Sequence, residues 1–323
     1  MVDARRRSLA ALALAAPAAW HAGPARAQQD PGRPIRMVIP YPPGGSTDIV
    51  GRALAEAMTR ELGQQVLVDN RPGGGTNIGA EAVATAKPDG HTVLFAGVQQ
   101  AVNPVYGPLP PFDTLAAFEP VGLIASAPFV VAAHPSTPMR TGQELLAACR
   151  AQPDKFTVSS AQLDLFVELL NARAGMKMLH VPYKGGAQAA ADAIGGQVNL
   201  VFAQVPALLA HLQSGRLRPL AVTSAKRFPG LPELPSFTEL GVEYDVNPWF
   251  GLLAPAGTPK PVVERTTQAM RKVLNGEELS RRIRGAGAEP GYGTPEECGA
   301  VLRRDIAFWQ QVRRTYPQLA APK

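Results

Sequence analysis

The chain has little cysteine, scattered histidine and no long apolar run beyond its first residues. Two cysteines, Cys149 and Cys298, occur in 323 residues. They sit in the helix-like stretches LLAACRA and EECGAVL, in what read below as different domains. Two free buried thiols are therefore expected rather than a bridge, which needs Cα atoms within about 7 Å. Past residue 27 the histidines are His91, His134, His180 and His211, with no pair at H-x-x-x-H or H-E-x-x-H spacing, so a zinc site lacks its signature. There is no G-x-S-x-G elbow and no G-x-x-x-x-G-K-[ST] phosphate loop. No nucleophile–base constellation is present, so the expected function is binding and not catalysis, with no cofactor. No later apolar run approaches the roughly 20 residues needed to span a bilayer, and a soluble mature protein is expected.

The N-terminus accounts for much of the charge. Arg5, Arg6 and Arg7 precede an Ala/Leu-rich run, Ser8 to Ala19, and Ala25-Arg26-Ala27 is an A-x-A cleavage site. This is the three-part pattern of a secretory signal peptide, residues 1–27. The run is too short for a membrane anchor. The twin arginines leave both the general and the twin-arginine export routes open. The formal charge of +6 falls to +3 without residues 1–27, which hold four arginines and one aspartate. That balance, with no basic stripe, argues against nucleic acid.

What is present is a repeated strand–loop–helix pattern. IRMVIPY (35–41), QVLVD (65–69) and TVLFAGV (92–98) read as strands, separated by two glycine loops and two helices. A second series has strands at VSS (158–160), MLHV (178–181), VNLVFA (198–203) and LRPLAVTS (217–224). After Gly251 the pattern reads as helical. This order predicts two doubly wound α/β domains. Extended segments at 126–135 and 245–259 are candidate crossings. If both cross, residues 28–126 and 252–323 form one domain and 127–251 the other, joined by a two-stranded hinge.

The informative loops are Pro42-Pro43-Gly44-Gly45-Ser46-Thr47-Asp48 and Gly73-Gly74-Gly75-Thr76-Asn77-Ile78-Gly79. Each follows a strand and opens a helix, whose unpaired N–H groups and dipole favour an anion. Open α/β sheets bind ligands at such strand ends. The plainer reading is two turns, with Asp48 and Asn77 capping helices and Asp69 anchoring a loop. The second loop lacks the G-x-G-x-x-G pattern, because Ile78 stands where glycine is needed. Arg71 is the only basic residue at either loop, which suits a carboxylate better than a polyphosphate.

With those residues in view, the sequence resembles the Bug family, the substrate-binding receptors of tripartite tricarboxylate transporters. The resemblance runs through RPIRMVIPYPPGGSTD, LGQQVLVDNRPGGGTNIGAEAVATAKPDGHTVLF, FEPVGLIASAPFVVAAHPS, HVPYKGGAQAAADAIGGQVNLVF and WFGLLAPAGTP. It implies the two-domain clamp of type II periplasmic binding proteins, a small carboxylate ligand, and a large and a small membrane permease subunit as partners. By position it assigns ligand contacts to Tyr41, Gly44, Gly45, Ser46, Thr47, Thr76, Asn77 and Gln99 in the first domain. In the second it points to Ser159, Ser160 and Tyr183. The sequence departs from the family at a shortened SSAQLDLFVEL segment, and at the end of VNLVF, where members often carry Asp and this chain has Ala203 followed by Gln204, on the second domain's half of the cleft. Losing that carboxylate argues against an amino-acid ligand. A monomer that closes around its ligand is expected, in the periplasm. The same cleft would also serve a sensory module reporting to a membrane partner.

Overall fold

The computed structural model describes residues 32–161 and 163–320. The signal-peptide assignment lies outside them. Among the described residues no helix is long and apolar enough to cross a membrane.

The first sheet begins with three parallel strands, β1 (Ile35–Ile39), β2 (Val66–Asn70) and β3 (Thr92–Gly97), with Ile35 opposite Val66 and Arg36 opposite Thr92. Helix α1 (Ser46–Leu62) connects the first two and buries Val50, Leu54, Ala57 and Met58, the apolar positions at helical spacing. It ends at Gly63, which takes the left-handed conformation (φ 60°) usual for a helix stop. A Cβ at Gly51 would stand 2.6 Å from Ile39 Cδ1, so glycine lets α1 lie close on β1. Helices α2 (Asn77–Ala84) and α3 (Gln99–Val102) follow β2 and β3.

The sequence pattern missed β4 (Phe118–Ser126), which joins the first sheet and ends where the chain crosses. The second sheet holds β5 (Phe129–Ala133), β6 (Thr157–Ala161), β7 (Leu179–Tyr183), β8 (Leu200–Gln204) and β9 (Arg218–Val222), in the order β7-β6-β8-β5-β9. Helices α4 (Gly142–Ala151), α5 (Asp164–Ala174), α6 (Gly186–Ile194) and α7 (Val205–Gln213) connect them. β6 is parallel to β7 and β8, whereas β5 runs antiparallel to β8 and β9.

The chain then returns. β10 (Trp249–Pro255) enters the first sheet between β3 and β4, antiparallel to both. Helices α8 (Lys260–Asn275) and α9 (Glu277–Gly285), strand β11 (Glu289–Gly293) and helix α10 (Pro295–Thr315) complete it, giving the order β11-β4-β10-β3-β1-β2. β10 lies within the segment 245–259 read as extended, whereas the expectation of helix in the rest of the chain is corrected by β11, which adds an edge strand. EPGYG lacks the apolar alternation that marks a strand, and pairing with β4 decides it.

The two crossings lie side by side. The Ala127 amide donates to the Pro248 carbonyl at 3.0 Å, and the Val246 amide to the Thr223 carbonyl at 2.9 Å. The Thr223 hydroxyl donates to the Val246 carbonyl at 2.7 Å and accepts from the Phe129 amide at 3.0 Å. Each sheet is thus a parallel core extended by an antiparallel strand that carries the chain between lobes. Both cysteines are unbonded and buried. Burial pushes the Cys149 thiol up to about 11 and the Cys298 thiol up to about 12, which keeps both protonated and unreactive.

Candidate ligand-binding cleft

The first glycine loop presents unspent donors. α1 starts from Gly45, whose backbone is extended, and no side chain caps the helix. Its first-turn amides therefore face outward with the positive end of the dipole. A Cβ at Gly44 or Gly45 would meet nothing within 4 Å, so the loop lies open. Ser46 and Thr47 are largely buried in the first turn, and neither hydroxyl is engaged with another described residue. The Tyr41 hydroxyl stands 3.9 Å from where a Gly97 Cβ would be, at the end of β3. Burial pushes the Tyr41 phenol well above the ordinary tyrosine range, so it remains a neutral donor.

Asp48 is not a lone carboxylate. It accepts from the Gly44 amide at 3.0 Å, from Arg52 Nε at 3.0 Å and from Asn70 Nδ2 at 3.0 Å. Burial alone would raise its pKa. Arg52, the Gly44 amide and Asn70 outweigh that and hold it below the usual carboxylate range. Asp48 thus shapes the loop from beneath, with its charge matched by Arg52.

The second glycine loop is built differently. Gly73, Gly74 and Gly75 all have positive φ, and so does Thr76 at 83°. Asn103 reaches over this turn and donates to the Gly75 carbonyl at 2.7 Å and to Asn77 Oδ1 at 2.7 Å. Thr76 Oγ1 accepts from Gln100 at 3.4 Å and from Asn103 at 3.3 Å, and Asn77 donates to the Pro108 carbonyl at 2.7 Å. The side chains of Thr76 and Asn77 are therefore occupied within the protein. Gln99, half-buried, donates to Asn103 Oδ1 at 2.8 Å and belongs to the same network. Sequence reasoning missed Gln100 and Asn103, since isolated amides in a short helix carry no pattern.

In the second lobe the candidate hydroxyls are also spent. Ser159 is fully buried and donates to the Ala189 carbonyl at 2.9 Å, towards α6. Ser160 lies 2.7 Å from His180 Nε2. The Tyr183 hydroxyl donates to Asp192 on α6. Ala203 is buried in β8, and Gln204 donates to the Ala127 carbonyl at 3.3 Å, which ties the end of β8 to a crossing segment.

The second lobe instead offers the turn Lys184-Gly185-Gly186, which sequence reading passed over although two glycines between a strand and an Ala-rich helix repeat the first loop's signal. α6 starts from Gly185, again extended and with no side-chain cap. A Cβ there would stand 3.9 Å from Pro42 Cγ, so the turns opening α1 and α6 face each other across the lobes. The starts of two helices from opposite sheets are thus brought near each other, with Tyr41, Ser46 and Thr47 flanking the first turn. Among the described residues no cluster of acidic, histidine or cysteine side chains is arranged to hold a metal.

Two α/β lobes, joined by paired crossing strands and meeting at opposed helix N-termini, define a periplasmic-binding-protein type of receptor. The family model described as the tripartite tricarboxylate transporter family receptor, TctC, matches residues 50–312. The chain belongs to this family, which is one of periplasmic substrate-binding proteins and not of enzymes. Protein BugT of Bordetella pertussis is 33% identical over 315 residues, covering 95% of this chain and 97% of that protein. The solved structure of periplasmic binding protein BugD is 34% identical with a TM-score of 0.82, covering 88% and 98%. R. palustris Rpa4515 with adipate is 33% identical with a TM-score of 0.84, covering 88% and 97%. MatC from Rhodopseudomonas palustris with bound malate is 27% identical with a TM-score of 0.81, covering 88% and 99%.

Proposed function

We propose that this protein captures a small carboxylate in the periplasm by closing its two lobes and hands it to the permease subunits of a tripartite tricarboxylate-type transporter. The observation that carries this is the convergence of two helix N-termini, at Gly45 and Gly185, neither capped by a side chain. Main-chain amides at such ends suit one carboxylate without a cationic side chain. The adipate and malate in the two related structures support the same ligand class.

In this reading the closing bodies are residues 28–126 with 252–323 against 127–251, with residues 1–27 removed on export. The ligand's carboxylate docks on the amides of α1, with Tyr41, Ser46 and Thr47 as further donors. The second lobe then swings over on the crossing strands, and only a ligand that favours the closed state drives the change. With Ala203 in place of an acidic residue, the ligand's far end is not an ammonium group.

Calorimetric titration with malate, adipate, benzoate, nicotinate, aspartate and glutamate tests this. Binding of a carboxylate without an ammonium group is expected, with compaction in small-angle scattering. Failure of every acid to bind, or binding without compaction, would overturn the capture mechanism. Tightest binding of aspartate or glutamate would overturn the ligand assignment.

A further inference from the structure

Two helix-stop glycines stand in open space. α1 ends at Gly63 (φ 60°) and α5 at Gly175 (φ 58°), and a Cβ on either would meet nothing within 4 Å. The glycine after α9 is different. Gly287 has φ 88°, its amide donates to the Arg284 carbonyl at 2.9 Å, and the Ala288 amide donates to the Ile283 carbonyl at 3.1 Å. So far this is an ordinary left-handed helix stop. Yet a Cβ on Gly287 would stand 3.0 Å from Val205 Cγ1, 3.2 Å from Leu209 Cδ2 and 3.4 Å from the Pro206 nitrogen. All three atoms belong to α7, which follows β8 of the second sheet, whereas Gly287 leads into β11 of the first. A helix stop needs only the backbone conformation, and asparagine serves at some stops. The missing side chain answers to the other lobe.

The contact has little room to relax locally. Val205 is fully buried and β-branched, so its Cγ1 cannot readily rotate aside, and the Pro206 nitrogen is backbone in the first turn of α7. The start of α7 is also tied to a crossing segment, with the Val205 amide donating to the Pro128 carbonyl at 3.1 Å. To admit a side chain, α7 must move as a body, and it does not move alone. Val205, Leu208 and Leu209 share a hydrophobic cluster with Ala190 and Ala193 of α6, the helix that opens at Gly185. On the other side, Ala288 shares a cluster with Ile283 of α9 and with Val50 and Leu54 of α1, the helix that opens at Gly45. The Gly287 contact thus joins, through packed neighbours, the two helices whose preceding turns meet at Pro42 and Gly185. It also lies beside the pivot, because Glu289 pairs opposite Ser126, where β4 runs into the first crossing.

We propose that Gly287 is a positioning residue for capture: its bare backbone is the seat on which α7 rests, and it sets how closely the second lobe approaches the first. A side chain there holds the second lobe off, and near the pivot a small displacement grows towards the cleft. Gly287 does this without touching the ligand. The inference rests on the two-lobe capture reading, but lobe spacing reports on it separately from the ligand's identity.

Nitroxide labels at Glu81→Cys on α2 and Gln188→Cys on α6, both exposed, report lobe separation by pulsed electron–electron double resonance, while the buried native thiols take no label. Distances are measured without ligand and with malate. Gly287→Asn should lengthen the shortest distance the parent reaches by about 2 Å or more, because sub-ångström shifts at packed joints are amplified. Affinity for malate should fall at least about fivefold, in step with the fraction of molecules able to shut. Gly63→Asn has the same left-handed backbone but open space around it, so it should lower stability comparably and leave distance and affinity unchanged. Gly287→Ala adds the Cβ alone, should lengthen the distance by less, and decides the matter if the asparagine variant does not fold. Distances unchanged in the Gly287 variants, or changed equally by Gly63→Asn, overturn the proposal and leave Gly287 a helix stop. Lengthening in a protein that does not bind malate upholds the seat and counts against the ligand assignment instead.

Discussion

The two glycine loops of the first lobe look alike in sequence and do opposite things in three dimensions. Gly44-Gly45-Ser46-Thr47 opens α1 with no side-chain cap and with two hydroxyls unspent. Gly73-Gly74-Gly75-Thr76 is roofed by Asn103 and Pro108, and the Gly75 carbonyl and the Thr76 and Asn77 side chains are engaged by that roof. Glycine serves the first loop by leaving space. In the second it permits a run of left-handed backbone that a side-chain network then locks. A ligand can use donors that the protein has not already used, so in the proposed reading the α1 amides of the first loop carry recognition, and the side chains of the second loop carry shape.

The sharpest way to break this contrast is to fill the first loop's donors from within. Gly45→Asp has room for a side chain and supplies a capping carboxylate. Affinity for a bound carboxylate should fall about 100-fold, near 2.7 kcal/mol, in calorimetric titration. Stability should meanwhile rise by about 0.5 kcal/mol. A variant that binds as before would remove α1 from the site. Next in size is Asn103→Ala, which deletes the roof of the second loop. It should cost about 2 kcal/mol in urea unfolding, while affinity stays within about threefold. A large loss of affinity with unchanged stability would move Asn103 into the cleft and reverse the assignment.

A smaller effect is expected from acid. The depressed pKa of Asp48 contributes stability that is present above the unfolded carboxylate value near 3.9 and is lost as pH falls through the lower folded value. Unfolding followed between about pH 3 and 6 should show a flatter acid limb for Asp48→Asn than for the wild type. Equal slopes would mean that the Arg52 and Asn70 contacts do not hold the loop in solution. The smallest change should come from Thr76→Gly. It relieves a β-branched residue at φ 83° but loses the Oγ1 acceptor, so net stability should move by less than about 1 kcal/mol. A drop well beyond that would show that the hydroxyl outweighs the backbone strain.

Much of the fold was legible because burial imposes a period. The predicted strands at 35–41, 65–69 and 92–98 lie on β1, β2 and β3. β4 and β11 were missed because a strand beside the crossing and one at the sheet edge take their identity from partners distant in the chain. The candidate site was legible only as a set of turns. Tyr41, Gly44, Gly45, Ser46 and Thr47 stand at an open helix start. By contrast, Ser159, Tyr183, Thr76 and Asn77 sit close by in sequence logic but have their polar groups turned to other partners. The Gly185 turn carried the same signal and went unread.

The sequence by itself determined the alternation of strand and helix, the places where glycine opens a helix, and the lack of any side-chain set for catalysis. Those are local matters, fixed by periodicity and by the conformations each residue permits. The tertiary structure alone decided which polar groups remain unspent, and it alone brought the turn before α1 against the turn before α6. Hydrogen-bond partners such as Asn103 for Thr76, and contacts such as Pro42 with Gly185, join residues far apart in the chain, and no local spacing encodes such a pairing.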